Sequence, residues 1–379
     1  MPTAVATAPR PAPGETVRVW TLHCLSFVLP VTCLAYLLGG LHPGWRALPW
    51  LLVLVGSVVI DMWSPSEEGQ PAATLPGWPF DAVLYVLAAL HLVIVALLVV
   101  HVARFGFWTW DTLVALALVG VNSGYSGIVV AHELIHRSQA HLHLIGRVLL
   151  GSVLYEHFST EHLRGHHVRV GTADDAATAR FGESATRFLL RTVPAQFRSA
   201  WRLECRRLGD PAMPWWDRRM LRHRVVHGVV VEWTVAAAIL VALGPGALAA
   251  YLIQAAVAVR LLEAVNYFEH WGLTRRNGRI TAMDSWDTGS RFTLYTLVGL
   301  SRHADHHVVA SRPYQQLRYL QDSPKLPYGY FGTVVFLLAR NGRFREVMTA
   351  ELQRCRLGPF AQADVRRDAW VTAPAPPRR

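Results

Sequence analysis

Six long apolar runs constrain this chain more than any other feature. They cover about 19–38, 47–63, 80–102, 112–131, 226–243 and 247–265. A helix crosses the hydrocarbon of a bilayer in about 20 residues, with roughly 17 as the lower limit. Bare backbone amides are too costly in hydrocarbon, so an isolated run of this length crosses as a helix. The chain is therefore expected to be all-α and polytopic, with about six transmembrane helices. Composition agrees, since 52% of the residues are hydrophobic and only 17% are charged. That leaves too little polar surface for a soluble chain of this length. Pro30 falls inside the first run, where neighbouring helices can satisfy the freed carbonyl. Gly244-Pro245-Gly246 parts the last two runs and reads as a hairpin. The run at 142–154 is too short to cross and reads as re-entrant or buried in protein. Residues 1–16 lack a signal-peptide pattern and read as a disordered arm, and 361–379 as a disordered tail. Everything between, 17–360, reads as a single membrane-embedded domain.

Charge orients this layout. The formal net charge is +11, and ten arginines but three acids lie between Arg187 and Arg224. Basic segments stay on the cytoplasmic side of membranes. With the first helix starting in the cytoplasm, the second, fourth and sixth runs all end there. The intervening segments 132–225 and 266–360 are then cytosolic and form a helical cap, and the protein is multi-pass in the inner (plasma) membrane. The arginines suit lipid headgroups or an acidic partner equally. Nothing reads as a nucleic-acid module. Asp61, at the end of the second run, reads as an interfacial residue first and as a buried functional carboxylate second. The four cysteines are scattered without a Cys-x-x-Cys, so thiolate-bound iron or zinc is not expected and electrons must come from outside.

The polar chemistry is carried by histidine. Nine of eighteen histidines fall in four clusters: His132 and His136; His162, His166 and His167; His270; and His303, His306 and His307. His132-Glu133-x-x-His136 matches a zinc-peptidase motif, with Glu133 as base, but that reading leaves seven clustered histidines unused. In a helix His162 and His166 share a face at i, i+4, and His167 is turned by about 100°. Two rings facing one way and a third facing sideways can serve two neighbouring metals, and 303–307 is expected to repeat that geometry. A zinc site needs three or four ligands. Nine suit two metals with four or five nitrogens each, and redox iron is the natural choice for imidazoles without thiolate. Glu133, Glu161, Glu269 and Asp305 adjoin these histidines and are expected mainly to accept the ligands' second N–H, with direct metal contact from Glu133 or Glu269 the lesser alternative and Asn266 also bracing the site. The other nine histidines read as packing or headgroup contacts.

The blocks HELIHR (132–137), EHLRGHHVRVGTADDAATAR (161–180), NYFEHWGL (266–273) and LSRHADHHVVASRPYQQLRYLQDSPKLPYGY (300–330) resemble the integral-membrane alkane hydroxylase family. That family includes alkane 1-monooxygenases and xylene monooxygenases, within the wider membrane fatty acid hydroxylase and desaturase group. The resemblance covers about 108–335. It implies six membrane helices and a cytosolic cap holding two irons, with all nine clustered histidines as ligands. It further implies O2 as co-substrate and electrons from a rubredoxin or ferredoxin with an NAD(P)H-dependent reductase. The expected reaction is hydroxylation of a terminal or benzylic methyl group of an alkane or alkylbenzene. Desaturation or oxidative decarboxylation of a fatty acyl chain is the alternative, and a membrane zinc peptidase a more distant one.

Overall fold

The structure, a computed structural model, describes residues 13–71, 75–276 and 278–361. It is all-helical, and six helices among the described residues are long and apolar enough to cross a membrane: α1 Gly14–Leu38, α2 Gly44–Met62, α3 Gly77–Phe105, α4 Trp110–Ile135, α7 Arg224–Leu243 and α8 Pro245–His270. Between α4 and α7 lie α5, Ala140–Gly151, and α6, Ala185–Arg207. After α8 come α9, Arg291–Thr296, α10, His303–Val308, α11, Tyr330–Ala339, and α12, Asn341–Cys355. The expected arm at 1–16 lies outside the described residues except for its last four, which open a helix starting at Pro13. The expected tail also lies outside them, apart from Ala361.

The helices run past the apolar stretches that announce them. α4 continues from 131 to Ile135, carrying His132, and α8 continues from 265 to His270, carrying Asn266 and Glu269. Hydrophobicity marks where lipid surrounds a helix. A helix continues beyond that point when protein instead of lipid covers its next turn. Here the cover is the set of segments joining and following the spans, gathered where α2, α4 and α8 end.

Local signals set the ends. The Thr109 hydroxyl accepts from the Thr112 amide (3.0 Å) and starts α4. Gly244, at φ 86°, closes α7, and Pro245 opens α8 in the position where a missing N–H costs nothing. α8 is the packing centre, touching α3, α4, α6, α7 and α11. Gly120 and Gly124 of α4 face Val257 and Leu261 of α8. A Cβ on either would come within 2.9 and 3.1 Å of those side chains. These small residues let the two backbones approach closely, as dispersion-driven packing in a membrane requires.

One expectation changes and another takes definite form. Asp61 is not interfacial but buried. It accepts from Ser290 Oγ and Thr293 Oγ1 (both 2.6 Å) and from the Gly332 amide (3.0 Å), pinning the end of α2 to α9 and α11. The 142–154 run becomes α5, a half-buried helix folded back against the end of α4.

Candidate metal centre

All nine clustered histidines converge, in two groups. His132, His136, His162, His167 and His306 form one, and His166, His270, His303 and His307 the other, each group offering ligand atoms within 4.8 Å of one another. Adjacent residues feed opposite groups. His166 and His167 part company, and so do His306 and His307, so two peptide bonds tie the groups together.

The two short helical segments achieve this differently. In α10, His303 and His307 share a group at i, i+4 while His306 joins the other, as an ordinary helix face dictates. The 162–167 segment was expected to behave alike, with His162 beside His166. Instead His162 pairs with His167, and their Nε2 atoms are 3.0 Å apart. The cause is a π-helical turn, His162–His166, in which the His167 amide bonds back to the His162 carbonyl, five residues away. A wider turn shifts the shared face from i+4 to i+5. A second π turn, Ser123–Ile128, precedes the His132 turn of α4.

The spacing of the nitrogens tests what the groups can hold. Nε2–Nε2 separations are 3.0 Å for His136–His162, 3.1 Å for His167–His306, 3.2 Å for His270–His303 and 2.9 Å for His303–His307. With metal–nitrogen bonds of about 2.1 Å, ligands at right angles lie about 3.0 Å apart and tetrahedral ligands about 3.4 Å. The observed edges are short enough for neighbouring ligands of one metal ion. Burial, reinforced by neighbouring histidines, holds His136, His162, His167, His303, His306 and His307 well below the usual imidazole range. These rings are therefore neutral, with lone pairs free for a metal. His132 and His166 each direct a buried Nε2 at no hydrogen-bond partner. The residues fit a dinuclear metal centre.

The bracing carboxylates are mostly not the expected ones. Glu133 pairs with Arg137 (2.7 Å) and accepts from the Tyr314 amide (3.2 Å). Glu161 accepts from Arg169 (3.0 Å), and Asp305 from Arg312 and the Arg318 amide (both 2.8 Å). Asn266 donates to Glu263 (3.2 Å). Each acid reaches a nearby arginine, whose charge outcompetes a neutral ring. The acid that does hold a ligand ring is Asp175, which takes His166 Nδ1 at 2.9 Å. Burial alone would lower the His166 pKa, but Asp175 raises it, and Asp175 itself falls to about 2. Asp175 stands in the TADDAAT stretch, which flags an acid-bearing turn but not which acid points inward. Glu269 behaves in a third way. It accepts from the Tyr330 hydroxyl (2.6 Å), while its other oxygen lies 3.3 Å from His303 Nε2, on the ligand side of the ring. Glu263 was not anticipated as a site residue. Tyr155, Gln196 and Asn266 all donate to it behind the centre.

A cavity of about 320 Å³ opens from the centre. His132, His162, His303 and Glu269 form its metal end, and Leu54, Val58 and Val335 its far end. Among the described residues the lining contains no lysine or arginine.

Comparison with known proteins points the same way. A family model described as fatty acid desaturase matches residues 107–335, the stretch that holds all nine histidines. Alkane 1-monooxygenase 1 of Pseudomonas aeruginosa is 38% identical over 322 residues, spanning 78% of this chain and 81% of that protein. Alkane 1-monooxygenase 2 of the same organism is 39% identical over 241 residues, 61% of this chain and 62% of that protein. More distantly, the hydroxylase component of the xylene/toluene monooxygenase of Pseudomonas putida is 21% identical over 206 residues, 54% of this chain and 55% of that protein.

Proposed function

The chain belongs to the alkane hydroxylase branch of the fatty acid desaturase family, and from that premise we propose that it is a non-haem di-iron monooxygenase that hydroxylates a terminal or benzylic methyl group of a hydrocarbon. The observation that carries the reading is the convergence of nine imidazoles, in groups of five and four, at the end of an apolar cavity. Bound iron would supply the O2 activation and hydrogen abstraction that an unactivated C–H bond requires, because no side chain is basic enough to deprotonate one.

The protein's own residues do the rest. The histidines hold the ions, Asp175 fixes the His166 ring, and the apolar walls align a chain and exclude water. Glu269, the one carboxylate lining the metal end of the cavity, is placed to pass a proton, with Tyr330 holding its other oxygen. The balance is one substrate, one O2, two electrons and two protons giving one alcohol and one water. An uncharged hydrocarbon suits the lining better than a fatty acid does, since no cation is present to receive a carboxylate. That favours hydroxylation over desaturation or decarboxylation of an acyl chain.

Electrons come from a rubredoxin or ferredoxin and its NAD(P)H-dependent reductase, because Cys24, Cys33, Cys205 and Cys355 form no cluster. The metal centre faces the cytoplasm, on the side of the arginine-rich segment. The test pairs metal content with isotope labelling. About two irons per chain are expected, together with oxygen-18-labelled alcohol from cells that supply a rubredoxin system and are fed alkanes and alkylbenzenes under labelled O2. Zinc without product, or an unlabelled alkene, would refute the assignment.

A further inference from the structure

A second cavity, of about 500 Å³, lies apart from the metal centre between α3, α5 and α7. It is amphipathic along its length. One end is lined by Leu92 and Val99 of α3 and by Val235 and Ile239 of α7. Val148, Val231 and Val235 line it while remaining 48%, 61% and 43% exposed. The cleft therefore opens sideways between helices of membrane-crossing length, onto the space that lipid chains fill.

The other end is polar. Arg147 Nε donates to Glu156 Oε1 at 2.5 Å, and the Glu156 amide donates to Glu232 Oε1 at 2.8 Å. Both carboxylates are 5% exposed, and Glu156 Oε2 is buried with no hydrogen-bond partner. Gly228, one turn before Glu232 on α7, makes room for this carboxylate, since a Cβ there would overlap it. Among the described residues Arg147 pairs with Glu156 alone, Glu232 holds the Glu156 amide, and one Glu156 acceptor stands bare. A buried acceptor in that state calls for a donor, and an ammonium group supplies one with a charge a carboxylate can meet. The rim adds the opposite chemistry. His227 lines the cleft and is exposed, and Arg224, about one turn earlier on α7, is exposed as well.

We propose that this cleft binds a phospholipid with a primary-amine headgroup. The ammonium meets Glu156 and Glu232, the phosphate meets Arg224 and His227 at the rim, and an acyl chain follows the groove between α3 and α7. A glycerol headgroup brings no cation to the carboxylates. A choline headgroup brings a cation that cannot donate a hydrogen bond. The site thus distinguishes three common headgroups by charge and by donor count.

The test uses the full-length protein reconstituted into bilayers of equal parts phosphatidylethanolamine, phosphatidylglycerol and phosphatidylcholine. Lipids retained on extraction are then counted by native mass spectrometry. The wild-type protein is expected to keep the ethanolamine lipid about fivefold over either competitor, the scale of one charge contact at a membrane surface. Glu156→Gln should remove that preference by deleting the charge. Val231→Trp should lower retention of all three by filling the groove, with the polar end intact. Metal content should be unchanged in both variants, which separates loss of the site from loss of the fold. Equal retention of the three lipids by the wild-type protein, or a preference that survives both substitutions, would overturn the proposal.

Discussion

Two buried histidine clusters stand at opposite ends of α4, about 30 Å apart by helix rise, and they use the same side chain in opposite ways. At the start of α4, His101 Nε2 pairs with Asp111, His42 Nδ1 lies 3.3 Å from the same carboxylate, and the Tyr36 hydroxyl donates to it at 2.7 Å. Beyond the end of α4, ring nitrogens face one another at 2.9–3.2 Å, and a single ring is held by an acid through its second nitrogen. An imidazole that meets a carboxylate spends that nitrogen on the acid and acts as a clamp. Imidazoles that meet only each other are left with lone pairs that a metal must take up. Partner chemistry, more than histidine content or burial, separates the structural cluster from the candidate metal centre.

Replacing ligands should break that contrast most sharply. His303→Ala is expected to cost about 1,000-fold or more in hydroxylation and to empty the four-histidine group, measured as product rate and metal per chain. Wild-type activity with one metal lost would contradict the assignment of His303.

Removing the metals should expose a pH dependence peculiar to this end of the molecule. The buried rings of His136, His162, His167, His303, His306 and His307 titrate well below 6.5, the value in the unfolded chain. Above pH 6.5 both states are neutral and no stability is lost. As pH falls through 6.5 the unfolded chain takes up protons that the folded one refuses. Stability should then drop by about 1.4 kcal/mol per pH unit for each ring involved. Thermal unfolding of metal-free protein between pH 7.5 and 5.5 checks this, and a flat profile would contradict it.

Asp111→Ala tests the other cluster. It strands His42, His101 and Tyr36 around a lost acceptor and should destabilise by about 2–3 kcal/mol while metal content holds at the wild-type level. A fall in metal content would mean the two ends are coupled. The smallest effect sharpens the comparison within the metal end. Asp175→Asn should weaken metal retention about 10–100-fold, whereas Asp305→Asn should leave it nearly unchanged, as competition with a chelator would report.

Much of this was legible from residue order. Apolar runs locate membrane-crossing helices because lipid contact is a local property of a stretch. The nine histidines stood out because metal ligands on short helices must recur at short spacings. Where the reading departs from the structure, the deciding contact is distant in sequence or depends on backbone form. Asp61 looked interfacial because its partners, Ser290, Thr293 and Gly332, lie more than two hundred residues away. Glu133 and Asp305 looked like supports for the ligands, yet arginines within seven residues claimed them.

The sequence by itself determined that this chain is a helical membrane protein with nine clustered imidazoles, because hydrophobic length and residue identity do not depend on how the chain folds. Only the tertiary structure decided how those nine are shared. The division into five and four depends on a π turn at His162–His166 that carries His167 round to His162 and leaves His166 to the second group. That turn differs from an α turn by one backbone hydrogen bond. Its formation depends on the packing around it, which side-chain spacing cannot report.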